Sequence, residues 1–168
     1  LAFVGNEGGA SDIYTYEISS KKTMNLTNDV FSDTEPSWSP DGEKIIFVSD
    51  RGVMSNGIKT TAKDMIDHNY EQSDIFIIDL NSKNINQITN TGYNENYPIF
   101  SNTENKLFYT GDYQGTWNLF RYNLDSGKSE PITNLLTGLF QLSLTKDDGS
   151  CDFGLPILFQ FEQSRSEE

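Results

Sequence analysis

Cysteine and histidine are almost missing from this chain of 168 residues, which contains one of each. A lone Cys151 cannot form an intrachain disulfide or a cysteine-based metal cluster. One cysteine and one histidine also leave few ligands for zinc, which proteins bind mainly through those two side chains. We therefore expect no disulfide framework and no zinc centre, and the sequence predicts no metal ligand and no cofactor.

Basic residues are scarce too. Lysine and arginine total 12 against 25 aspartates and glutamates, so the formal net charge at pH 7 is −13. A chain this acidic repels a phosphate backbone, which argues against nucleic-acid binding. No apolar run approaches 18 residues, so we expect no direct membrane insertion. The chain starts at Leu1 without a charged segment followed by an apolar stretch, so no signal peptide is visible.

Catalytic motifs are equally sparse. A serine hydrolase needs an imidazole beside its nucleophile, and the one imidazole here, His68, is accompanied by no Gly-x-Ser-x-Gly sequence. We interpret His68 as a solvated loop residue and predict no catalytic centre in this chain. Asn and Asp side chains in the loops 28–33 and 94–96 offer oxygen ligands for calcium, but without EF-hand spacing the pattern favours solvated loops.

An internal repeat is the strongest signal that is present. The segments 12–29, 74–91 and 118–135 align without a gap: each begins with Asp or Asn, continues as an alternating strand, turns, and reaches Thr-Asn. They recur 62 and then 44 residues apart, and 36–50 aligns with 98–112 at the same spacing of 62. The base period is therefore 44 residues, and the middle unit carries an insertion at about 53–72.

Each unit has the pattern of four short strands joined by turns. Ser39-Pro40-Asp41-Gly42 predicts a turn in which proline presets φ and glycine accepts a positive φ, and 81–84 and 125–128 predict hairpin turns. This arithmetic predicts an all-β fold of β-propeller blades, each with four antiparallel strands. We assign repeats to 1–153, as units 1–44, 45–106 and 107–150, and a divergent or disordered tail to 154–168.

The run Trp-Ser-Pro-Asp-Gly-x-Lys-Ile-x-Phe-x-Ser-Asp-Arg-Gly at 38–52 resembles the TolB-like propeller repeat, a relative of WD40-like blades. The resemblance covers residues 1–150 and weakens in the third unit, where Phe100 replaces the tryptophan. It implies a propeller of six blades, of which this chain supplies about three and a half, and therefore an incomplete ring. Open blade edges predict possible self-association.

The alternation along the strands also predicts the core. We expect large apolar side chains at alternate positions of each strand, which share one face, to be buried between neighbouring sheets. The predicted core residues are Trp38, Phe47, Phe76, Ile78, Phe100, Phe108 and Phe120.

Two sets of loops are predicted to lie on one face of the propeller: the connections between blades and the loops between the second and third strands. That face also carries the 53–72 insertion. Acids beside aromatic side chains there predict a recognition surface for a basic or extended polypeptide. The predicted binding residues on these loops are Asp33, Glu35, Asp50, Arg51, Tyr93, Glu95, Asp112 and Trp117.

These patterns favour a non-catalytic module that binds a protein or peptide, and the resemblance implies a periplasmic or cell-envelope location. The alternative is an accessory, gating propeller of a larger enzyme, similar to prolyl-oligopeptidase-type serine peptidases, whose catalytic domain lies outside this chain. A propeller that is itself catalytic, as in some polysaccharide lyases, is disfavoured by the single histidine. The sequence does not identify the partner.

Overall fold

The computed structural model describes residues 1–7, 9–52, 68–102, 105–139, 142–144 and 151–152. These ranges contain short strands and, at Tyr113–Gly115, one turn of 3-10 helix. The strands are β1 (Ala2–Glu7), β2 (Ala10–Glu17), β3 (Lys22–Asn25), β4 (Asp33–Trp38), β5 (Lys44–Ser49), β6 (Asp74–Asp79), β7 (Ile85–Gln87), β8 (Glu95–Phe100), β9 (Lys106–Gly111), β10 (Asn118–Asn123), β11 (Lys128–Pro131), β12 (Ser143–Leu144) and β13 (Cys151–Asp152).

The strands form antiparallel sheets in chain order. The first sheet is β1-β2-β3, the second is β4-β5-β6-β7, the third is β8-β9-β10-β11, and β12 pairs with β13. The all-β prediction and the four-strand blade are confirmed, and the described sheets do not close into a ring. The predicted insertion lies between β5 and β6; most of it, like the predicted tail at 154–168, falls outside the described residues.

The turns form as their sequences predict. Gly42 donates its backbone N–H to the Ser39 carbonyl at 2.9 Å and has φ = +74°, a conformation that glycine adopts without a Cβ clash. Gly127 closes the β10–β11 hairpin by donating to the Asn123 carbonyl at 2.9 Å with φ = +65°. In the β6–β7 hairpin, Lys83 occupies the same left-handed position with φ = +61°.

The Asp or Asn at the start of each aligned segment (12–29, 74–91 and 118–135) has a structural role. In the first sheet Thr27 accepts the Ile13 backbone N–H at 3.1 Å and donates its hydroxyl to Asp12 at 3.1 Å, while Asp12 also accepts the Asp29 N–H at 3.3 Å. These side-chain hydrogen bonds tie β2 to the connection that follows β3. The same N–H to Thr bond and the same N–H to Asp or Asn bond recur at Ile75–Thr89, Thr91–Asp74, Leu119–Thr133 and Leu135–Asn118.

The apolar core lies between successive sheets. One cluster joins the first and second sheets and contains Ile13, Ile45, Phe47, Phe76 and Ile78. A second cluster joins the second and third sheets. The second sheet is therefore covered on both faces, which explains why β5 and β6 are almost continuously apolar rather than alternating with polar residues.

A pair of aromatic rings recurs at one position of each sheet. Phe47 and Phe76 lie 6.1 Å apart in the second sheet, with both side chains buried. Phe3 and Tyr14 form the equivalent stacked pair in the first sheet at 5.6 Å, but Phe3 is 40% exposed because no described sheet covers that face. The first sheet thus presents an open apolar face beside the free edge of β1. Self-association through such an edge stays a prediction.

The core prediction is confirmed for Phe47, Phe76, Ile78, Phe108 and Phe120, which are all buried. It is wrong for Trp38, which is 39% exposed, and Phe100 is only half-buried. Both residues end the first strand of their sheet, where the chain leaves for a turn. Trp38 lies in an open groove between the first and second sheets, beside Met24 and Lys83, with nothing described above it.

Truncating Phe47 to alanine should destabilise the chain by about 3–5 kcal/mol, because a large ring is removed from a fully buried site. Phe3→Ala provides the matched control, since it removes the same ring at the equivalent position of an uncovered sheet, and it should cost much less. Urea denaturation followed by tryptophan fluorescence measures both losses. Equal losses for the two variants would contradict the difference in burial between the two equivalent positions.

Candidate functional site

Loops from neighbouring sheets meet at the end of the blades where the insertion lies. Asp50, just after β5, accepts the Ser32 backbone N–H at 2.9 Å. Asp112, the equivalent residue after β9, accepts the Asn94 N–H at 2.8 Å. Each aspartate therefore joins the loop after the second strand of its own sheet to the connection that precedes that sheet. The structure places these two predicted site residues at the same end of adjacent sheets.

Arg51 is the centre of the charge network at this end. Its Nε donates to Ser49 Oγ at 2.8 Å, its Nη1 donates to Asp29 at 3.0 Å, and its Nη2 lies 2.6 Å from both carboxylate oxygens of Asp33. The Arg51 side chain is 1% exposed. The guanidinium carbon also lies 5.3–5.4 Å from the ring centroids of three aromatic residues, which are Phe31, Phe47 and Phe76.

This network accounts for the acids that the sequence suggested for calcium at 28–33. Asp12, Asp29 and Asp33 bring carboxylate oxygens within 4.8 Å of one another. Burial raises the pKa of Asp33 to about 6, and the Arg51 guanidinium opposes that rise. Arg51 thus supplies a positive charge inside the group of carboxylates, and the cluster is an internal ion-pair network in this structure.

Glu95 occupies the position equivalent to Asp33, but its surroundings differ. Tyr113 stands where the earlier repeat has Arg51, and none of the ion pairs among the described residues includes Glu95. Glu95 is fully buried, and its Oε2 accepts the Thr89 hydroxyl. A buried carboxylate without a cation is costly, so the neutral acid is favoured here.

Hydrogen bonding around Glu95 agrees with a neutral carboxylic acid. The Thr91 hydroxyl oxygen lies 3.2 Å from Glu95 Oε1 and 3.0 Å from the Tyr93 carbonyl oxygen. One hydroxyl proton cannot serve two acceptors at once, whereas a proton on Oε1 lets Glu95 donate to Thr91 and Thr91 donate to Tyr93. Burial raises the pKa of Glu95 to about 8, and the nearby Asp74 carboxylate adds to the rise.

The predicted binding residues therefore divide by exposure. Four are buried in this structure, and binding through them stays a prediction: Asp33, Asp50, Arg51 and Glu95. Sequence reasoning treated loop charges as solvated, but these charges satisfy backbone N–H groups and one another in the connections between sheets. The other four predicted residues are half-buried: Glu35, Tyr93, Asp112 and Trp117.

The accessible aromatic side chains at this end lie next to the predicted residues. Tyr113 is 53% exposed and packs edge-on against Tyr93 with ring centroids 5.5 Å apart. Tyr70 is 59% exposed and packs edge-on against His68 at 4.7 Å. The His68 side chain is only 13% exposed, with Nε2 3.7 Å from Asp50, so the prediction of a solvated histidine is wrong.

Glu35 lies apart from these residues, in a bulge of the strand β4. The pairing of β4 with β5 shifts between Thr34 and Ser37, and Glu35 has φ = +54°. The strand β8 shifts in the same way between Asn96 and Ile99, and Tyr97 also has φ = +54°. A positive φ at residues other than glycine is strained, and here it occurs at equivalent positions of two sheets.

The two bulges are in contact and form the walls of a groove. The Glu35 carboxylate accepts the Tyr97 backbone N–H at 2.5 Å. The groove measures about 620 Å³ and is lined by Glu35, Pro36 and Ser37 of β4, by Tyr97, Pro98 and Ile99 of β8, and by Leu142. Burial raises the pKa of Glu35, and the hydrogen bond from Tyr97 opposes the rise. Among the predicted binding residues, Glu35 is the one that lines this groove.

Sequence reasoning missed Tyr97 and the bulges. A signal was available, because Pro36 and Pro98 stand 62 residues apart inside strands that are otherwise well formed. Proline cannot donate to a ladder, so its recurrence within a strand indicates a bulge or an edge. The roles of Thr27, Thr89 and Thr133 were also missed, although the repeat itself contained them.

Replacing Glu95 with glutamine should change how stability depends on pH. In the unfolded chain Glu95 ionises near its ordinary pKa of 4.5, but in the native state it keeps its proton up to about pH 8. Wild-type stability should therefore fall relative to Glu95→Gln as pH rises from 4.5 to 8, by up to about 1.4 kcal/mol per pH unit. Urea denaturation at several pH values measures the difference. A difference that stays constant over this range would contradict a neutral Glu95.

Comparison with known proteins identifies the fold. No family model matches the chain. TolB from Acinetobacter baumannii superposes with a TM-score of 0.63 at 21% identity, over 87% of this chain and 32% of that one. A TolB candidate from Agrobacterium tumefaciens gives 0.66 at 18% identity, over 86% and 46% of the two chains. Puromycin hydrolase gives 0.62 at 12% identity, over 86% and 22%.

The chain thus spans less than half the length of each of these solved structures. Identities of this size establish the fold without an activity. Among the described residues no helix is long and apolar enough to cross a membrane. The described sheets have the fold of consecutive blades of a TolB-like β-propeller.

Proposed function

We propose that this chain is a non-catalytic propeller module that binds a protein or peptide at the insertion end of the blades. The observation that carries the proposal is the contrast at that end between buried polar side chains and exposed tyrosine rings. The buried polar groups of Arg51, Asp33 and Glu95 are engaged in internal hydrogen bonds, whereas Tyr70 and Tyr113 remain more than half exposed. Exposed rings beside acids are typical of recognition surfaces.

Location and partner chemistry follow from the same proposal. The similarity to TolB-like propellers supports a periplasmic or cell-envelope location. The net charge of −13 and the half-buried Asp112 beside Tyr113 support a partner segment that is basic and extended. No cofactor takes part in this proposal, and the chain neither binds nucleic acid nor inserts into a membrane.

A second candidate function is an accessory propeller of a larger enzyme. The observation in its favour is the fold similarity to puromycin hydrolase and to a chain from a study of two prolyl endopeptidases, where this chain spans 22% and 21% of the solved structures. In that case the blades would bind or admit substrate, and the chemistry would belong to a separate domain.

Fluorescence anisotropy with labelled 12-residue peptides tests the proposal. Three sets are used, rich in lysine and aromatics, rich in glutamate, or neutral, and the basic set should bind best. Tyr113→Ala should weaken that binding about tenfold, as loss of an aromatic anchor does. Trp38→Ala is the matched control, because Trp38 is an exposed aromatic residue at the opposite end of the blades.

Three results would contradict the proposal. Binding that depends on Trp38 and ignores Tyr113 would place the site at the wrong end of the blades. Absence of binding by every peptide set would remove the peptide-binding role. Cleavage of the peptides by the purified chain, followed by mass spectrometry, would contradict a non-catalytic module.

A further inference from the structure

The groove between β4 and β8 contains an acid, Glu35, that is paired with no cation among the described residues. Glu35 is half-buried, and across the described ranges none of the ion pairs includes it. No lysine or arginine lines the groove. Asp33, two residues earlier on the same strand, is paired with the buried Arg51. Within the described ranges, therefore, the enclosed Asp33 has an internal cation and Glu35, in the open groove, has none.

The hydrogen bond from Tyr97 holds Glu35 in place. Its backbone N–H reaches Glu35 Oε2 at 2.5 Å, so one carboxylate oxygen is engaged and the other can accept from an incoming group. The strained φ of +54° at both residues keeps the two bulges opposed. A carboxylate held in a partly desolvated groove attracts a cation more strongly than one that is fully hydrated.

The walls of the groove favour entry of a side chain over pairing of a strand. Pro36 and Pro98 have no N–H, so neither bulge can provide the continuous ladder that an added strand requires. Proline rings, Ile99 and Leu142 instead offer apolar surface along the groove. Lysine and arginine combine an apolar stem with a cationic head and match this combination of walls and acid.

We propose that the groove between β4 and β8 is a binding site for the lysine or arginine side chain of a partner peptide, with Glu35 as the group that receives its charge. The proposal rests on the peptide-binding function proposed above and gives that function its ligand chemistry. The bulges of β4 and β8 position Glu35, and the residues around Pro36 and Pro98 contact the stem.

Matched peptides test the site. A labelled 12-residue peptide with one central lysine is compared with the same peptide carrying acetyl-lysine, on wild-type protein and on Glu35→Gln. Glutamine keeps an oxygen to accept the Tyr97 N–H, so the groove is retained while the charge is lost. We expect the lysine peptide to bind at least tenfold more weakly to Glu35→Gln. The acetyl-lysine peptide should bind weakly to both proteins, and exposed Glu130→Gln should bind like wild type.

A second measurement does not depend on the choice of peptide. NMR of the 13C-labelled Glu35 carboxyl follows its titration with and without n-butylammonium, a mimic of the lysine side chain. Binding of the cation should shift the Glu35 midpoint to lower pH, because a neighbouring positive charge favours the carboxylate. An unchanged midpoint, together with equal binding of lysine and acetyl-lysine peptides, overturns the site.

The outcomes separate this inference from the broader function. If basic peptides bind and depend on Tyr113 but not on Glu35 or on acetylation, the binding module stands and the groove site fails. If no peptide binds and butylammonium leaves Glu35 unchanged, both fail.

Discussion

Packing at the insertion end of the blades depends on one position of the repeat that is buried each time it occurs, where the side chain must be satisfied away from water. Asp33, Glu95 and Leu139 are equivalent in the repeat, and all three are buried. The first is neutralised by Arg51, the second is kept neutral beside two threonine hydroxyls, and the third is apolar. The position is thus buried in all three repeats, once with an ion pair, once with a neutral acid and once with an apolar side chain.

This constraint divides the charged side chains into buried ones that stabilise the fold and accessible ones that can contact a partner. A buried side chain that is bonded inside the molecule cannot also contact a partner, and half of the predicted binding residues are buried. What remains available is a set of exposed rings near Asp112 and a groove whose acid, Glu35, has no internal cation. The scaffold therefore presents recognition groups on rigid strands, and their positions follow from the packing of the sheets.

The sequence predicted those parts of the fold that recur. The number of strands, their antiparallel pairing and the Ser39–Gly42 turn follow from the repeat. Its turn residues favour the backbone angles that the turns need. Burial at the ends of strands was harder to predict. Trp38 looked like a core residue because of its size, and Arg51 looked exposed because of its charge, whereas neighbours distant in the sequence decide the burial of each. Such contacts join residues from different repeats, and periodicity along one strand contains no information about them.

The candidate site was predictable only in part for the same reason. Glu35 was selected as a loop acid, although it lies in a strand and reaches the groove because of a bulge. The partner of its carboxylate, the Tyr97 backbone N–H, belongs to the next sheet, 62 residues away. A bulge that repeats with a proline is a sequence signal, but the contact between two bulges requires the relative position of the sheets.

A double-mutant cycle on Arg51 and Asp33 tests most directly whether the buried charge pair between β4 and the loop after β5 stabilises the fold. Arg51→Met and Asp33→Leu should each destabilise the chain by about 3–5 kcal/mol in urea denaturation, because each leaves a buried charge without its partner. The double variant should lose much less than the sum of the two, since it removes both charges together. Additive losses would show that the two charges are independent, and would contradict the role of the pair in holding the loop after β5 against β4.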